Sequence, residues 1–341
     1  MDAMSALLDG PRASGAFLLR AVLEPPWSVR IRDEAPLSVA VVARGAAWVI
    51  PDHGDPVRLG AGDVMIARGP APYTVADEPT TAPQVFIEPG QRCTDWLGND
   101  LSAVMALGTR AWGNAADGAS EGATTIVTGT YESCQAVGER VLRALPPLVV
   151  VPAERAPTGL VAVLCAEIER DAPGQEVVLD RLLDLVVIGT LRDWFGGGPD
   201  RAPTWFLAAG DPIAGPALRL LHADPARAWT IATLATEVGV SRAALARRFT
   251  QVLAEPVITY LTGLRLDLAA DLLRSSDCTL ASVARQVGYG SPFALNSAFA
   301  RVRGVRPAEH RAALRRIAAP TGRSAPHPRS TTSPEQDRAT T

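Results

Sequence analysis

The sequence predicts an α+β protein of two domains, a β-rich N-terminal domain followed by an all-α C-terminal domain. The chain of 341 residues is longer than one hydrophobic core usually accommodates. Short β-type segments broken by turn residues fill residues 10–95, whereas apolar residues recur at helical spacing from Asp211 onward. The spacing of apolar residues thus changes from one typical of strands to one typical of helices, which indicates two domains of different structural class.

Charge is divided unevenly between the two units. Residues 1–210 hold 16 arginines and 26 acidic residues, a net charge of −10, whereas residues 211–316 hold 14 arginines and 8 acidic residues, a net charge of +6. The total of −3 hides this difference. An acidic body joined to a basic module suggests a nucleic-acid partner for the second part. Because the sequence contains no lysine, every cationic contact must come from arginine.

The sequence shows no sign of export or of membrane insertion. The first residues carry no basic run before an apolar one, and no stretch reaches the roughly 18 apolar residues of a membrane helix. The four cysteines lack CxxC spacing, so we expect neither a zinc site nor a disulfide framework. These features predict a cytoplasmic bacterial protein.

Within the first unit, many short strands at close spacing favour a sandwich or a small barrel over βαβ units. Strands are predicted at Ser38–Ala43, Ala46–Ile50 and Thr124–Thr130, among others, with a Gly-rich turn at Gly60–Asp63. The Gly/Ala/Asn-rich stretch 94–122 suggests a loop or an insertion.

Two helices are expected after the strands, from about residue 157 to 171 and from 176 to 195. The second is apolar around nearly its whole circumference, so it must be buried on most sides. The β-rich unit can cover one side and a second subunit the other, which predicts a homodimer; a fully intramolecular core is the alternative. Gly196-Gly197-Gly198-Pro199 ends this helix and opens a predicted linker at 196–210.

The basic region contains the same helix-turn-helix pattern twice, at Thr230–Phe249 and Thr279–Phe299. In each copy an alanine lets two helices cross closely, a glycine accepts the positive φ of the turn, and a serine caps the second helix. The turn glycines Gly239 and Gly288 are 49 residues apart, and a long helix at about 256–275 joins the copies. Two copies at this interval are far more specific than one.

With this doubled motif the sequence resembles the AraC/XylS family of transcriptional regulators. The run from Gly288-Tyr289 through Ser291-Pro292-Phe293 to Arg303-Gly304-Val305-Arg306-Pro307 closely follows the family's C-terminal signature. The turn Leu59–Asp63 and the later Leu145-Pro146-Pro147 look like parts of its cupin-type N-terminal domain.

The resemblance implies a cupin-like β-barrel for sensing, with a helical dimerisation segment, at 1–195. The linker at 196–210 would lead to a double helix-turn-helix DNA-binding domain at 211–316 and a disordered tail at 317–341. The protein would then be a sequence-specific transcriptional regulator that binds double-stranded promoter DNA, responds to a small effector and has RNA polymerase as a further candidate partner. A cupin-type enzyme with a helical accessory domain is the alternative.

The resemblance also places the second helix of each motif in successive major-groove segments. Candidate DNA contacts in the first of these helices are Ser241, Arg242, Ala243, Ala246, Arg247 and Arg248. Arg247 can bind guanine bidentately and the alanines can contact thymine methyl groups, whereas Ser241, Arg242 and Arg248 suit phosphates. Candidates in the second are Ser291, Phe293, Asn296, Ser297, Arg301 and Arg303. This set has less charge at its base-reading positions, and Arg301 and Arg303 would supply charge for the DNA backbone.

The N-terminal domain lacks the pattern of a metal site. Metal-using cupins need several histidines, and only His53 lies among the strands, with Tyr73 where a histidine would be expected. We therefore expect no metal, no cofactor and no enzymatic activity. A small-molecule site is favoured instead. Its candidate lining residues, each of which taken alone is more typical of plain core, are Trp27, Trp48, Tyr73 and Phe86.

An oxidant effector is a further hypothesis, because some relatives with this type of domain sense oxidants through cysteine. A sensor thiol needs a low pKa and exposure. Cys93 follows Arg92 in a loop-like context, and Cys134 lies just beyond the strand Thr124–Thr130. Neither cysteine sits in a recognisable redox motif, so inert thiols are the competing interpretation.

Overall fold

A computed structural model describes residues 17–115, 122–131, 141–275 and 278–318. The strands of this part of the chain come first. They are β1 (Phe17–Leu23), β2 (Ser28–Ile31), β3 (Leu37–Arg44), β4 (Ala47–Pro51), β5 (Val57–Leu59), β6 (Val64–Arg68), β7 (Tyr73–Ala76), β8 (Val85–Glu88), β9 (Arg92–Thr94), β10 (Ala106–Gly108), β11 (Ala111–Gly113), β12 (Thr124–Tyr131) and β13 (Leu148–Val151).

The strands form two sheets whose inner faces share an apolar core. One sheet has the order β10-β11-β1-β12-β3-β6-β13, and the other has the order β5-β4-β7-β2-β8-β9. Pairing is antiparallel except between β1 and β11 and between β2 and β8. The β-rich domain predicted from the sequence is thus confirmed as two facing sheets. The stretch 94–122 is only partly a loop, since β10 and β11 lie inside it and extend the first sheet.

The described helices follow the sheets along the chain. They are α1 (Thr158–Ile168), α2 (Gln175–Gly196), α3 (Thr204–Ala209), α4 (Ala214–Ala223), α5 (Ile231–Val238), α6 (Arg242–Leu253), α7 (Val257–Ser275), α8 (Leu280–Gln286), α9 (Pro292–Arg303) and α10 (Pro307–Ala318). The two helices expected after the strands are therefore present. No helix in the described part of the chain is long and apolar enough to cross a membrane.

Helix α2 packs on the outer face of the seven-stranded sheet, in one apolar cluster with residues of β3, β6 and β12. The contact with β12 is close, because a Cβ atom at Gly129 would lie 2.5 Å from Leu183 Cδ2. The Tyr131 hydroxyl donates a buried hydrogen bond of 3.2 Å to Asp184 on the helix. Burial of α2 on this side follows from its nearly continuous apolar surface.

The predicted linker contains a structured element. Helix α3 packs its aromatic side chains against the end of α2, with ring centroids 5.7 Å apart for Phe195 and Trp205 and 5.4 Å apart for Phe195 and Phe206. The same apolar cluster continues from α2 through α3 into α4 and α6. The stretch 196–210 therefore joins the two parts of the chain through a packed contact. Of the predicted disordered tail 317–341, only the first two residues are described, and they end α10.

Candidate DNA-binding surface and effector cavity

The first helix-turn-helix consists of α5 and α6. Leu245 and Phe249 of α6 are fully buried, which fixes the inner face of this helix. The turn uses Gly239 at φ +77°, and the Ser241 hydroxyl accepts a hydrogen bond from the Ala244 amide at 3.1 Å. The serine cap and the glycine turn thus have the roles that their positions in the sequence predict.

The outer face of α6 carries the predicted base-reading residues. Ala243 and Arg247 are exposed and Ala246 is half-buried, at positions that fall on one side of the helix. Arg242 is also exposed, beside the cap. Within the described residues neither Arg242 nor Arg247 has an ion-pair partner. Both guanidinium groups are therefore available to an external anion or base edge.

Arg248 differs from these two arginines because the protein itself holds it. Its Nη2 lies 2.6 Å and its Nε 2.7 Å from Asp211 Oδ2, ahead of α4. Burial acts to raise the pKa of Asp211, but the amides of Ala214 and Ile213 and the Arg248 guanidinium outweigh it and lower the pKa overall. The pair fastens α6 to the start of α4, a role that the sequence did not indicate. A phosphate contact by Arg248 stays a prediction.

The second helix-turn-helix, α8 and α9, has the same frame. Leu295 and Phe299 are fully buried, and the Ser291 hydroxyl accepts a hydrogen bond from the Ala294 amide at 3.1 Å. Pro292 occupies the first turn, where its missing N–H costs nothing. The frame predicted from the repeated motif is confirmed.

The outer face of α9 is less charged than that of α6. Phe293 is 79% exposed, an unusual position for a large apolar ring, and Ser297 is exposed beside the half-buried Asn296. Arg301 is exposed near the end of the helix. Arg303 is instead paired with Asp267 of α7 at 2.6 Å, with both side chains largely buried. Its position favours a structural role, and its predicted contribution to backbone charge has no support in this geometry.

Helix α7 and the second turn fix the two motifs relative to each other. Arg265 of α7 donates hydrogen bonds of 2.8 Å to the carbonyls of Pro225 and Arg227. The turn glycine Gly288, at φ +81°, lies so near Ala226 that a Cβ atom would be 2.5 Å from the Ala226 oxygen. The two recognition helices are thus presented by one packed unit.

A cavity of about 370 Å³ lies between the two sheets of the N-terminal domain. Its wall includes alternate residues of β1 and β12, because successive side chains of a strand point to opposite faces. Of the four aromatic candidates, Trp27 and Tyr73 line the cavity, whereas Trp48 and Phe86 do not. Phe86 lies on the outer face of its strand, where the Arg32 guanidinium stacks 4.8 Å from its ring centroid.

The sequence did not reveal the remaining lining residues. They include Phe17, Leu19, Ala21, Ile126, Met65 and Trp112. Trp112 comes from the stretch assigned to a loop, so nothing in the pattern pointed to it. At Trp27, the buried indole N–H has no hydrogen-bond partner among the described residues.

Cys93 lies in β9 and lines the cavity. It is 5% exposed, and burial raises the pKa of its thiol, an effect only partly offset by a hydrogen bond with Trp112. Its expected loop-like context is therefore wrong, and a buried thiol of raised pKa is the opposite of a sensor cysteine. Cys134 lies outside the described residues.

The described residues contain no group of three or more His, Cys, Asp or Glu side chains placed to hold a metal ion. His53, the histidine among the strands, is exposed in the turn between β4 and β5.

Two exposed recognition helices on one packed unit, preceded by a β-domain with an internal cavity, define a DNA-binding transcription regulator with a cupin-type N-terminal domain. Residues 2–196 match the cupin family, and residues 234–313 match a helix-turn-helix domain. The chain is 31% identical over 290 residues to a putative AraC-like transcription regulator of Streptomyces lividans, covering 84% of this chain and 90% of that protein. The protein belongs to the AraC-like transcription regulators.

Other similar proteins carry related descriptions. The HTH-type transcriptional regulator AlkR of Acinetobacter baylyi is 25% identical over 307 residues, covering 88% of this chain and 96% of AlkR. The RCS-specific HTH-type transcriptional activator RclR of Escherichia coli is 33% identical over 107 residues, covering 31% of this chain and 38% of RclR. Among solved structures, the DNA-binding domain of AdpA in complex with a target DNA is 33% identical and covers 33% of this chain and all of that domain, with a TM-score of 0.30.

Proposed function

We propose that the protein is a dimeric regulator of the bacterial cytoplasm, that it binds promoter DNA through α6 and α9, and that a small effector in the cavity controls it. The proposal assigns no catalytic step to the β-domain and keeps RNA polymerase as a candidate partner. One observation carries it: two capped recognition helices expose their outer faces on one packed unit within the basic part of the chain.

The two faces suit different kinds of readout. Arg247 on α6 presents a planar donor pair that matches guanine O6 and N7. On α9 the exposed Phe293 ring suits a thymine methyl group, and Asn296 suits the N6 and N7 atoms of adenine. Arg242 and Arg301 supply charge for the phosphate backbone. The proposal therefore predicts a bipartite site with one guanine-dependent half and one half read mainly by apolar contact.

A continuous set of contacts links the cavity to α6. Strand β12 presents Ile126, Thr128 and Thr130 to the cavity and the alternate residues to α2. Phe195 at the end of α2 packs on α3, and α3 packs on α6. A ligand that shifts β12 can thus change the position or order of the first recognition helix, provided that it binds the two arrangements with different affinity.

The dimer rests on apolar residues that α1 and α2 leave uncovered. Val178 and Leu185 of α2 lie two turns apart on one side of the helix and are 45% and 46% exposed. Val163 of α1 is 52% exposed. Exposed apolar residues grouped on neighbouring helices are typical of a protein interface.

DNA binding is tested with the full-length chain against a randomised DNA pool, followed by affinity measurements on the selected sequence at several salt concentrations. We expect the logarithm of the binding constant to fall linearly with the logarithm of the salt concentration. Arg247→Ala should cost about 1–3 kcal/mol of binding free energy and relax selection at one base position. Arg58→Ala removes the same charge from an exposed site on β5 and should leave affinity unchanged. No enriched sequence, or an affinity indifferent to salt, would refute the proposal.

Assembly is tested by sedimentation equilibrium of the wild-type chain and of Leu185→Arg. We expect a dimer for the wild type and a monomer for the variant, because an arginine at the centre of the interface would be buried without a partner. Val104→Arg, at an exposed position of the β-domain, is the matched control and should remain dimeric. A monomeric wild type at micromolar concentration would contradict this part of the proposal.

A further inference from the structure

The cavity has a polar end and an apolar end, and strand register shows which residues share each end. Phe17 of β1 pairs with Thr130 of β12, which pairs with Ser38 of β3. Four residues further along β1, Ala21 pairs with Ile126. Ser38 and Thr130 therefore lie toward one end of the cavity, and Thr128, which pairs with Leu19, lies nearer its middle.

Across from these hydroxyls, the second sheet supplies a carboxylate. Tyr73 pairs with Ile31 at the end of β2, and Asp33 follows two residues later. Asp33 Oδ2 accepts a hydrogen bond of 2.9 Å from Gln91 Nε2, and Oδ1 accepts one of 3.1 Å from the Ala35 amide. Asp33, Tyr73 and Gln91 all line the cavity. A carboxylate has about four lone-pair sites, so each oxygen of Asp33 can accept a further hydrogen bond.

The charge of Asp33 has no counter-ion in the cavity wall. Among the described lining residues Asp33 is the one acidic side chain, and none is basic. The described residues form no ion pair with Asp33 either. Burial raises the pKa of Tyr73, and the Asp33 charge raises it further, so the phenol stays neutral. The polar end therefore carries a single negative charge.

A ligand must be compatible with that charge. A carboxylate or phosphate group at the polar end would meet Asp33 without a cation to offset the repulsion, which is strong where water is scarce. A hydroxyl can donate to Asp33, and an ammonium group can donate and also neutralise it. The rest of the wall is mainly apolar, with Thr128, Ser102 and the Trp27 indole N–H among its other polar groups. The volume lies toward the lower end of the range of about 300–1,000 Å³ that is usual for small-molecule pockets.

We propose that the effector is a small amphiphile with an apolar body and a hydrogen-bond-donating headgroup, ammonium in preference to hydroxyl, recognised by Asp33 and Gln91 at the polar end of the cavity. This inference rests on the proposed function, because it names the class of compound that the sensory domain takes. It predicts that an anionic headgroup is disfavoured at this end of the cavity.

The test uses three probes with the same apolar chain: octylamine, octan-1-ol and octanoate. Their affinities for the full-length protein are measured at pH 7 by calorimetry, with the fluorescence of the lining tryptophans as a second signal. We expect octylamine to bind about tenfold more tightly than octan-1-ol, since a charge-assisted hydrogen bond is worth roughly twice a neutral one. Octanoate should bind most weakly.

Two variants test whether the charge of Asp33 causes this order of affinities. Asp33→Asn should abolish the preference for the amine over the alcohol. Gln91→Lys places a cation beside Asp33, brings the net charge of the polar end to zero and should remove the advantage of octylamine over octanoate, so it tests the assignment even where Asp33→Asn fails to fold. Asp55→Asn removes a carboxylate from an exposed turn outside the cavity wall and should leave the order intact.

Octanoate binding as tightly as octylamine to the wild type would overturn the inference, as would an unchanged order in both charge variants. These outcomes are separable from failure of the proposed function. If the protein binds DNA selectively but prefers octanoate, the proposed function stands and the proposed class of ligand is wrong. If the probes bind in the expected order but DNA binding is not selective, the assignment of the cavity stands and the proposed function is wrong.

Discussion

The two helix-turn-helix units have the same frame but different surroundings. Each has a serine cap on its recognition helix, a buried Leu and Phe pair, and a turn glycine at positive φ. In the first unit, space around Gly239 is open, and Arg242 and Arg247 of the recognition helix have no ion-pair partner among the described residues. In the second, Gly288 lies against the backbone of Ala226, just ahead of the first unit, and the recognition helix exposes a phenylalanine.

This difference shows which parts of a repeated motif are fixed by its own geometry. The caps and the positive-φ turn recur because any sharp connection between two helices needs them. Side chains on the outer face are under no such constraint, so Arg247 and Phe293 can occupy comparable faces. The second unit bears one contact that orients the pair, between Gly288 and Ala226, and Arg265 of α7 supplies another.

The largest expected effect comes from the turn glycines. Gly288→Ala should lower the free energy of unfolding by about 3 kcal/mol, because it combines positive-φ strain with a clash against a backbone oxygen. Gly239→Ala introduces the same positive-φ strain, but the space around the new Cβ atom is open. It should therefore lower the free energy of unfolding by only about 1 kcal/mol. Urea denaturation followed by circular dichroism measures both. Equal losses would show that the close approach to Ala226 does not constrain the second unit.

The next effect separates a buried ion pair from an exposed one. Asp267→Ala leaves Arg303 largely buried without its carboxylate and should destabilise the protein by about 2 kcal/mol. The matched change in the first unit, Glu237→Ala, breaks a pair whose side chains are 43% and 45% exposed and should cost below about 1 kcal/mol. The same denaturation experiment compares them. A larger loss of stability for Glu237→Ala than for Asp267→Ala would show that the buried pair is not the more important of the two.

A smaller effect distinguishes the recognition helices on DNA. Phe293→Ala should weaken binding to the selected site by about 1 kcal/mol, roughly fivefold, with the loss concentrated at thymine positions of one half-site. Val302→Ala removes an exposed apolar side chain from the far end of the same helix and should have no effect. Competition binding with base-substituted sites measures both. A uniform loss across all sequences would exclude base contact by Phe293.

The smallest effect concerns pH. The pKa of Asp211 is lowered in the folded protein, so its contribution to stability is present above the ordinary carboxyl range near pH 4 and is lost as pH falls below it. Asp211→Asn should therefore flatten the acid side of the stability profile while leaving the profile above pH 6 parallel to that of the wild type. Thermal unfolding from pH 3 to pH 7 tests this. An unchanged slope on the acid side would refute the role of the Asp211–Arg248 pair.

The sequence predicted the repeated unit well because its turn, cap and core positions each have a local physical cause. It did not predict the contacts of Arg248 or Gly288, which depend on residues 37 and 62 positions away that only folding brings near. Nor could the alternation of side chains along the strands show that Trp27 and Tyr73 face the cavity whereas Trp48 and Phe86 do not. Trp48 and Phe86 lie in strands that are apolar on both faces, so the sequence pattern does not show which face of the sheet each side chain occupies.

Helix α3 escaped prediction because six residues are too few to show a period. Its Trp205-Phe206-Leu207 run was the available signal, since three consecutive large apolar residues are unusual in an exposed linker.

The two walls of the cavity differ in how freely they can change during evolution. Residues of β12 that face the cavity are directly bonded to residues that pack on α2, so a substitution there alters the cavity wall and the contact with α2 together. Among the described residues, none from the six-stranded sheet joins the apolar cluster around α2. Substitutions at positions such as Val29, Tyr73 and Ile87 therefore change the cavity without touching the cluster around α2. The fold thus separates a wall that is tied to α2 from a wall that is not, and this arrangement would allow the proposed effector site to accept a different compound while the contacts of α2 stay the same.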